Sequence, residues 1–431
     1  MDARGIIELR VVGPGRGAFF LAEDGAGRSF RLHGGLPGER VLARQRPADP
    51  GSADLVEVLD PSPHRVAPPC PAAGPCGGCA WLALAPRAQV ELRLAALRDA
   101  LAGIGAPLPS IEAVPSPAVL GYRWRMRFQA DLDRDPPAIG FHGPGTRRVV
   151  DIPRCPLVAP PLDRLYRAVR ERLLAERPRD LTGLELATVP GTRGGLLFLN
   201  PRDRAPAAWP GLGERLLGTV PGLAGVAVRP PSRRRPLPGN VPDLLGASHL
   251  VGTLPSGAPV AVAARGFLQA NLAAADRMAD LVAQLGAPVP ETRVLDLHAG
   301  AGLLSWRLAA RGADVLAVEI DPLSAAAAAA LPPPPAGRLR ARPGRAEEAR
   351  EEIVRSAAVV ADPPRAGLGN LAGFLAGAGP RRLVLVSCAV EALARDLAHL
   401  LRGGYRVRRV VAVDLFPHTR HLETVTLLER A

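Results

Sequence analysis

The sequence predicts three domains in series: a small β-barrel over residues 1–61, a mixed α+β domain over 62–265, and a doubly wound α/β domain over 266–431. Three observations carry this. Up to about residue 60, short apolar runs alternate with Gly-rich turns, the pattern of small barrel strands. A Cys-bearing segment follows, after which helical runs mix with short β runs and Pro/Gly turns. Near residue 266 the pattern changes to helix, strand, glycine turn, helix, strand, the repeating unit of a doubly wound sheet.

Composition bounds the function. At 47% hydrophobic and 22% charged residues the chain can bury a sizeable core. All 54 basic residues are Arg, and with 47 Pro and 46 Gly this reads as GC-rich codon usage. Codon usage does not explain a net charge of +13, which points to a polyanionic partner, most simply nucleic acid. No apolar run has the length of a membrane span, and charge in "MDARGIIELR" stands where a signal peptide would be apolar. The expectation is a cytoplasmic protein with no membrane contact and no obligate protein partner. Five Cys, an odd count clustered near residue 75, do not form a secreted disulfide framework.

Taken in order, "IIELRVVGPGRGAFFLAEDGAGRSFRLHGGLPGERVLARQ" and "DLVEVLDPSP" supply about five short strands with tight turns. They suggest an OB-like barrel, a fold that often binds oligonucleotides. The run "LHGGLPGERV" followed by "VEVLDPSPHRV" resembles the TRAM domain, an RNA-binding barrel attached to RNA-modifying enzymes. Next, "CPAAGPCGGCAW" places Cys70, Cys76 and Cys79 with five and then two residues between them. Glycines let such a loop curl around a metal centre. Cys155 in "DIPRCPL" supplies a fourth thiol. Four thiolates complete either a zinc site or a four-iron, four-sulfur cluster, and the spacing is irregular for a zinc ribbon. Residues 81–105 and 163–177 have helical periodicity. "GYRWRMRFQADLD" reads as a strand with Tyr122, Trp124, Met126 and Phe128 on one face. Its other face carries Arg123, Arg125 and Arg127, either solvated or a ridge for RNA phosphates. From 181 to 265 short β runs alternate with turns, and "RPPSRRRPLPGN" reads as an exposed basic loop.

In the last domain Val294–Leu297 is the first strand, Gly300 and Gly302 turn the chain into a helix, and Glu319 ends the second strand. Glycines let a ligand approach the backbone, and the distal acid accepts ribose hydroxyls. The loop lacks the full dinucleotide fingerprint and any Walker sequence, so neither NAD nor ATP is the first choice. Further on, "VSCAVEALARDL" puts Cys388 between a buried strand and a helix. Open α/β sheets place ligands at such strand ends, and a helix start can lower a thiol's pKa. Cys388 is therefore a candidate nucleophile.

"DLHAGAG" resembles motif I of class I methyltransferases, and "DPPRAGLG" resembles the Asp/Asn-Pro-Pro loop of nucleic-acid methyltransferases. With "CGGC", Cys70, Cys155, "FLQAN", "SC" before "LARDL", and "HLETV", the chain over residues 5–430 closely resembles the RNA uracil-5-methyltransferases, the iron–sulfur, TRAM-containing kind. The resemblance implies a Rossmann-like class I methyltransferase domain, S-adenosylmethionine as cofactor, and a uridine in ribosomal or transfer RNA as substrate. It favours a 4Fe-4S cluster on Cys70, Cys76, Cys79 and Cys155. It implies Cys388 as nucleophile, Glu423 as base and Asp362 beside substrate and cofactor. It assigns cofactor contacts to Gln269, His298, Gly300, Gly302, Glu319 and Asp362. Such chemistry suits these residue types: a thiolate on carbon 6 makes carbon 5 nucleophilic, and a carboxylate removes the carbon 5 proton. On Glu423's strand, Val425 and Leu427 share its face, and partial burial would raise its pKa.

The sequence departs from the family at Ala389-Val390, where Asn-Pro or Asp-Pro usually follows the Cys. His298 stands for Phe or Tyr, Ala299 for a frequent Cys, and Arg345 near the acid expected beside the adenine. Two rivals remain at this level. A cytosine-5-methyltransferase would carry its Cys in the loop that here holds "DPPR". A non-enzymatic RNA-binding or chaperone protein with a vestigial methyltransferase domain would fail to bind S-adenosylmethionine.

Overall fold

The computed structural model describes residues 5–430 apart from 16, 203–207, 229–243, 265, 287 and 288. The basic loop expected at 229–240 lies outside the described residues. Five strands come first: β1 (Ile6–Pro14), β2 (Phe20–Glu23), β3 (Ser29–His33), β4 (Arg40–Arg46) and β5 (Asp49–Asp60). They close into a barrel in the order β1-β2-β3-β5-β4, with β4 returning to β1. Leu9 and Val11 point in while Arg10 and Val12 point out, the period-two alternation of a barrel wall. Trp81, from the Cys segment, joins Phe20 and Leu32 in the barrel's core cluster and stacks on Phe20 at 6.0 Å. Truncating such a buried Trp costs on the order of 3–5 kcal/mol, so the Cys segment and the barrel are one packed unit.

Then come α1 (Pro86–Ala102), β6 (Ile111–Val114), β7 (Arg125–Asp131), β8 (Ala138–His142), β9 (Val149–Asp151) and α2 (Pro160–Glu176). β10 (Leu181–Ala187), β11 (Gly195–Pro201), α3 (Ala208–Thr219), β12 (Leu223–Val228), β13 (Leu244–Gly246), β14 (His249–Thr253) and β15 (Pro259–Ala263) follow. Seven of these strands form the central sheet, ordered β13-β12-β11-β10-β7-β8-β9. Its core stacks Phe128 on Tyr166 of α2 at 3.9 Å. Helix α3 falls where the sequence shows only β runs and turns; Leu212 and Leu216 bury it against Val226 of β12.

The last domain contains α4 (Leu272–Gly286), β16 (Arg293–Leu297), α5 (Leu303–Ala310), β17 (Asp314–Glu319), α6 (Pro322–Ala329) and β18 (Arg338–Pro343). It continues with α7 (Arg350–Arg355), β19 (Ala358–Ala361), α8 (Asn370–Ala378), β20 (Arg382–Ser387), α9 (Val390–Arg402), β21 (Tyr405–Val413) and β22 (Glu423–Arg430). Its sheet runs β18-β17-β16-β19-β20-β22-β21-β6. The strands from β18 to β20 are parallel, and β22 inserts antiparallel to both neighbours. Strand order reverses between β16 and β19, the crevice where such sheets bind ligands. Continuous apolar runs in β19 and β20 follow from cover on both faces.

The domains are not consecutive blocks. β6 pairs with β21 in the sheet of the last domain, and Leu94, Leu97 and Leu101 of α1 pack into its core. Both elements lie inside the 62–265 stretch that the sequence groups with the central domain. Periodicity identifies a helix but not the partner it packs on, which is why the boundary reads differently. Among the described residues no helix is long and apolar enough to cross a membrane.

Candidate active site

Cys388 follows the wholly buried run Leu383–Val386 of β20 and precedes α9. Ala389 caps α9 without a side-chain bond. Instead the Ser387 hydroxyl accepts from the Ala389 N–H at 3.4 Å and closes the turn around the thiol. Burial pushes the Cys388 thiol up to about 11, Glu423 and Asp362 add to the rise, and Arg365 offsets part of it. This corrects the expectation of a thiol lowered by the helix start. Burial and two carboxylates outweigh the start of α9, whose first turn itself carries Glu391.

Glu423 opens β22. Ser387 pairs with Thr424 across β20 and β22, so the next step of the register sets Cys388 opposite Glu423. The Thr424 hydroxyl donates to the Ser387 carbonyl at 3.0 Å and fixes that register. Glu423 is 2% exposed, and its Oε1 has no hydrogen-bond partner. Burial first, then Asp362, raises its carboxyl well above the usual range.

Asp362 directly follows β19, with Pro363 and Pro364 stiffening the chain beyond it. Burial pushes its carboxyl up to about 7. The loop is pinned from α9: the Leu368 N–H donates to Asp396 Oδ2 at 2.9 Å. Gly367 (φ 82°) passes so close that a Cβ there would lie 2.5 Å from the same oxygen. The "DPPRAGLG" and "LARDL" motifs are thus two halves of one contact.

On the cofactor side, His298 (φ 61°), Gly300 (φ 56°) and Gly302 (φ 84°) turn the chain from β16 into α5. A Cβ on Gly302 would lie 2.8 Å from Ala328, whereas one on Gly300 would meet open space. Glu319 Oε2 accepts the Gly300 N–H at 2.9 Å, and Oε1 accepts the Asp321 N–H at 2.8 Å. Gln269 is 8% exposed, and its Oε1 is without a hydrogen-bond partner. Burial lowers the His298 pKa and keeps the imidazole neutral. Beneath the loop Asp296 accepts from Ser305, and burial raises its carboxyl to about 7.

One cavity of about 580 Å³ joins these parts. Gln269, His298, Gly300, Glu319, Asp362, Cys388 and Glu423 line it together; Gly302 stands behind, packed on α6. Sequence reasoning missed Glu347, Arg365, Phe416 and His421, which also line it. Glu347 follows Arg345 by two residues and puts an acid in the cavity after all. Arg365 and His421 sit inside "DPPR" and "HLET", so the motifs contained the signal. Burial, then Arg365 and Arg420, press His421 down to about 4. A second cavity of about 240 Å³ opens on the other side of Cys388, lined by Trp81, Arg93 and Arg420.

Cys70, Cys76, Cys79 and Cys155 line a separate cavity of about 270 Å³ with Arg123 and Phe141. All are free thiols. Burial, and then the neighbouring thiols, push Cys79 up to about 12; burial takes Cys155 to about 11. Among the described residues no group of three or more His, Cys, Asp or Glu is placed to hold a metal ion.

The Arg ridge is partly engaged in ion pairs. Glu185 of β10 is 4% exposed and pairs with both Arg125 and Arg127. Burial alone would raise its carboxyl, but the two guanidinium groups outweigh that and hold it low. An unpaired buried carboxylate costs several kcal/mol, so both cations neutralise Glu185, Arg125 from a largely buried position and Arg127 from an exposed one. Arg123 lies over the Tyr122 ring at 5.5 Å and faces the Cys cavity.

The fold and cavity define a doubly wound α/β domain of the nucleotide-cofactor class, with a thiol and a carboxylate at the sheet's carboxyl edge. Residues 345–431 match the tRNA (Uracil-5-)-methyltransferase family. The chain is 33% identical to a 23S rRNA (uracil(1939)-C(5))-methyltransferase of Halomonas elongata, over 96% of this chain and 87% of that protein. A second protein so described, from Chromohalobacter salexigens, is 33% identical over 99% and 90%. The crystal structure of Pyrococcus abyssi tRNA (uracil-54, C5)-methyltransferase with S-adenosyl-L-homocysteine has the same fold, with TM-score 0.70 at 22% identity, covering 97% of this chain and 99% of that one. The chain belongs to the family of RNA (uracil-5-)-methyltransferases.

Proposed function

We propose that the protein methylates carbon 5 of a uridine in RNA with S-adenosylmethionine, through a covalent adduct to Cys388. The observation that carries this is the placement of Cys388 opposite Glu423 in the cavity that Gln269, Gly300 and Glu319 also line. The cofactor fits that wall: Gln269 Oε1 lacks a donor, Gly300 leaves open space, and Glu319 retains lone pairs for ribose hydroxyls. When bound, the cofactor supplies the methyl group and a positive sulfonium.

The chain's residues do the rest. The Cys388 thiol gives its proton to the Asp362 carboxylate, which leaves Glu423 ionised, and Arg365 favours the thiolate. The thiolate adds to carbon 6, and the electron pair moves to carbon 5 and oxygen 4. Carbon 5 takes the methyl group. Glu423, as carboxylate, removes the carbon 5 proton, and the electrons expel the thiolate. The uridine leaves its stack to reach this depth. The relatives' descriptions favour ribosomal over transfer RNA.

Two further parts belong to this reading. Four thiols around one cavity, with a spacing in sequence irregular for a zinc ribbon, suit a 4Fe-4S cluster. The cluster would hold the Cys segment together. The barrel would act as a TRAM-like, sequence-independent RNA grip, in line with its closed five-strand form and the chain's +13 charge. The test incubates purified protein with labelled methyl donor and separated ribosomal and transfer RNA. Label in neither pool, with no C5-methyluridine on digestion, overturns the reading.

A further inference from the structure

The nine residues between β21 and β22, 414–422, have no regular structure. They carry His421 and lead directly into Glu423. Local bonds tie Thr419 to Phe416 and His421, and Val114, Tyr122 and Trp81 each hold one backbone group of the segment. Two buried side chains of α1 make the largest set of contacts to it. Gln89 is fully buried, and its Oε1 accepts the His418 N–H at 2.7 Å. Its Nε2 donates to the carbonyls of Leu84 at 2.7 Å and Trp81 at 3.1 Å. The His418 ring reaches the Val119 carbonyl through Nε2 at 2.9 Å. That nitrogen is then the donor, which leaves Nδ1 to accept from Gln89 at 3.1 Å.

Arg93 stands one turn further along α1, 2% exposed. Its Nη1 shares its hydrogens among the carbonyls of Phe416, Thr419 and His421, at 3.1, 3.3 and 3.2 Å. The same nitrogen pairs with Asp414 at 3.0 Å. One planar cation thus ties four residues of the segment to α1, and α1 is packed on α9, the helix that begins beside Cys388. The four contacts converge on Nη1, while Nε donates to the Gln89 carbonyl at 3.1 Å and holds the guanidinium plane against α1; a Lys ammonium ends one bond short of the Nη1 position and carries no second nitrogen to orient it.

We infer that Arg93 is a positioning residue for the base: through the segment 414–421 it sets where Glu423 meets carbon 5. This rests on the reading of Glu423 as the proton acceptor. Misplacing a reacting group by about 1 Å costs on the order of 100-fold in rate. Asp414 needs a cation, so Arg93→Met leaves a buried charge unpaired and endangers folding. Arg93→Lys keeps a cation for Asp414 but loses the Nε bond to Gln89 and the reach of Nη1 to the three carbonyls.

The experiment compares wild type, Arg93→Lys and Glu423→Gln as full-length proteins. For Arg93→Lys, kcat falls by about 10- to 100-fold while RNA KM and S-adenosylmethionine affinity stay within about three-fold. The variant accumulates the methyl-bearing covalent RNA complex, as Glu423→Gln does. Amide exchange over residues 414–423 accelerates in the free protein; a merely structural loss would lower Tm without shifting the slow step to proton removal. Wild-type kcat in Arg93→Lys, or slower turnover with neither adduct nor faster exchange, overturns the inference. If Glu423→Gln traps the adduct and Arg93→Lys does not, the inference alone falls. If Glu423→Gln turns over normally, the base assignment falls and takes this inference with it.

Discussion

Cys388 and Glu423 stand one register step beyond the Ser387–Thr424 pair, facing each other across two antiparallel strands. The arrangement places the thiol beside a carboxylate that disfavours its ionisation. One proton too many and the thiol cannot attack; one too few and the pair repels. Arg365 is the cation that eases both groups.

The two members of the pair fail differently. Cys388→Ala abolishes methylation and any covalent RNA complex. Glu423→Gln still adds the thiolate and transfers methyl, then stalls as a methyl-bearing adduct that gel electrophoresis detects. Normal turnover by either variant contradicts the mechanism.

Asp362 makes activity and stability move oppositely with pH. Its folded carboxyl titrates near 7 against an ordinary 3.8, so the folded state holds a proton that the unfolded chain releases. The stability this contributes is full below about 3.8 and is lost as pH rises through about 7. The ionised carboxylates that chemistry needs appear over the same range. Turnover should climb from pH 6 to 8 while Tm declines, and Asp362→Asn should flatten the Tm trend and raise stability at pH 8 at the expense of activity. A Tm trend unchanged in Asp362→Asn would show that another group controls it.

The four-thiol cavity predicts metal. Anaerobically purified protein should be brown, with about four iron and four sulfide per chain. Cys155→Ser should lose the colour and lower Tm before it affects cofactor binding, because the Cys cavity and the cofactor cavity have separate walls. One zinc and no iron would sink the cluster.

Gly302→Ala tests the turn under the cofactor. Its φ of 84° and a Cβ only 2.8 Å from Ala328 force a shift of the loop. A cost of about 1–3 kcal/mol in stability is expected for such strain, with S-adenosylmethionine affinity reduced in calorimetry. Gly300→Ala meets no neighbour, so any loss it causes falls on ligand binding more than on folding. Equal Tm for Gly302→Ala and wild type would refute the packing argument.

What the sequence showed was whatever is encoded locally. The Gly300–Gly302 turn, Glu319 and the strand–Cys–helix around Cys388 each sit in one short window, and each stands where periodicity and turn chemistry place it. Glu423 came only through family resemblance, because its meeting with Cys388 depends on β22 inserting between β20 and β21. The fate of Arg125 and Arg127 was hidden for the same reason: Glu185 reaches them from β10, a neighbour no local pattern names. The helix-dipole argument for Cys388 failed because burial, a property of the whole fold, outweighed it.

The place of β6 and α1 has a consequence for how this enzyme can be cut, swapped or inherited. A fragment beginning near residue 266 would leave β21 as a bare sheet edge, an adhesive template for other chains. It would also lack the helix that grips the segment before Glu423. No single cut in the polypeptide separates catalysis from the rest. A chimera that exchanges methyltransferase domains between relatives has to carry residues 86–114 along with the C-terminal part. Exchanging those two stretches alone takes three crossovers, one before residue 86, one after 114 and one near 266.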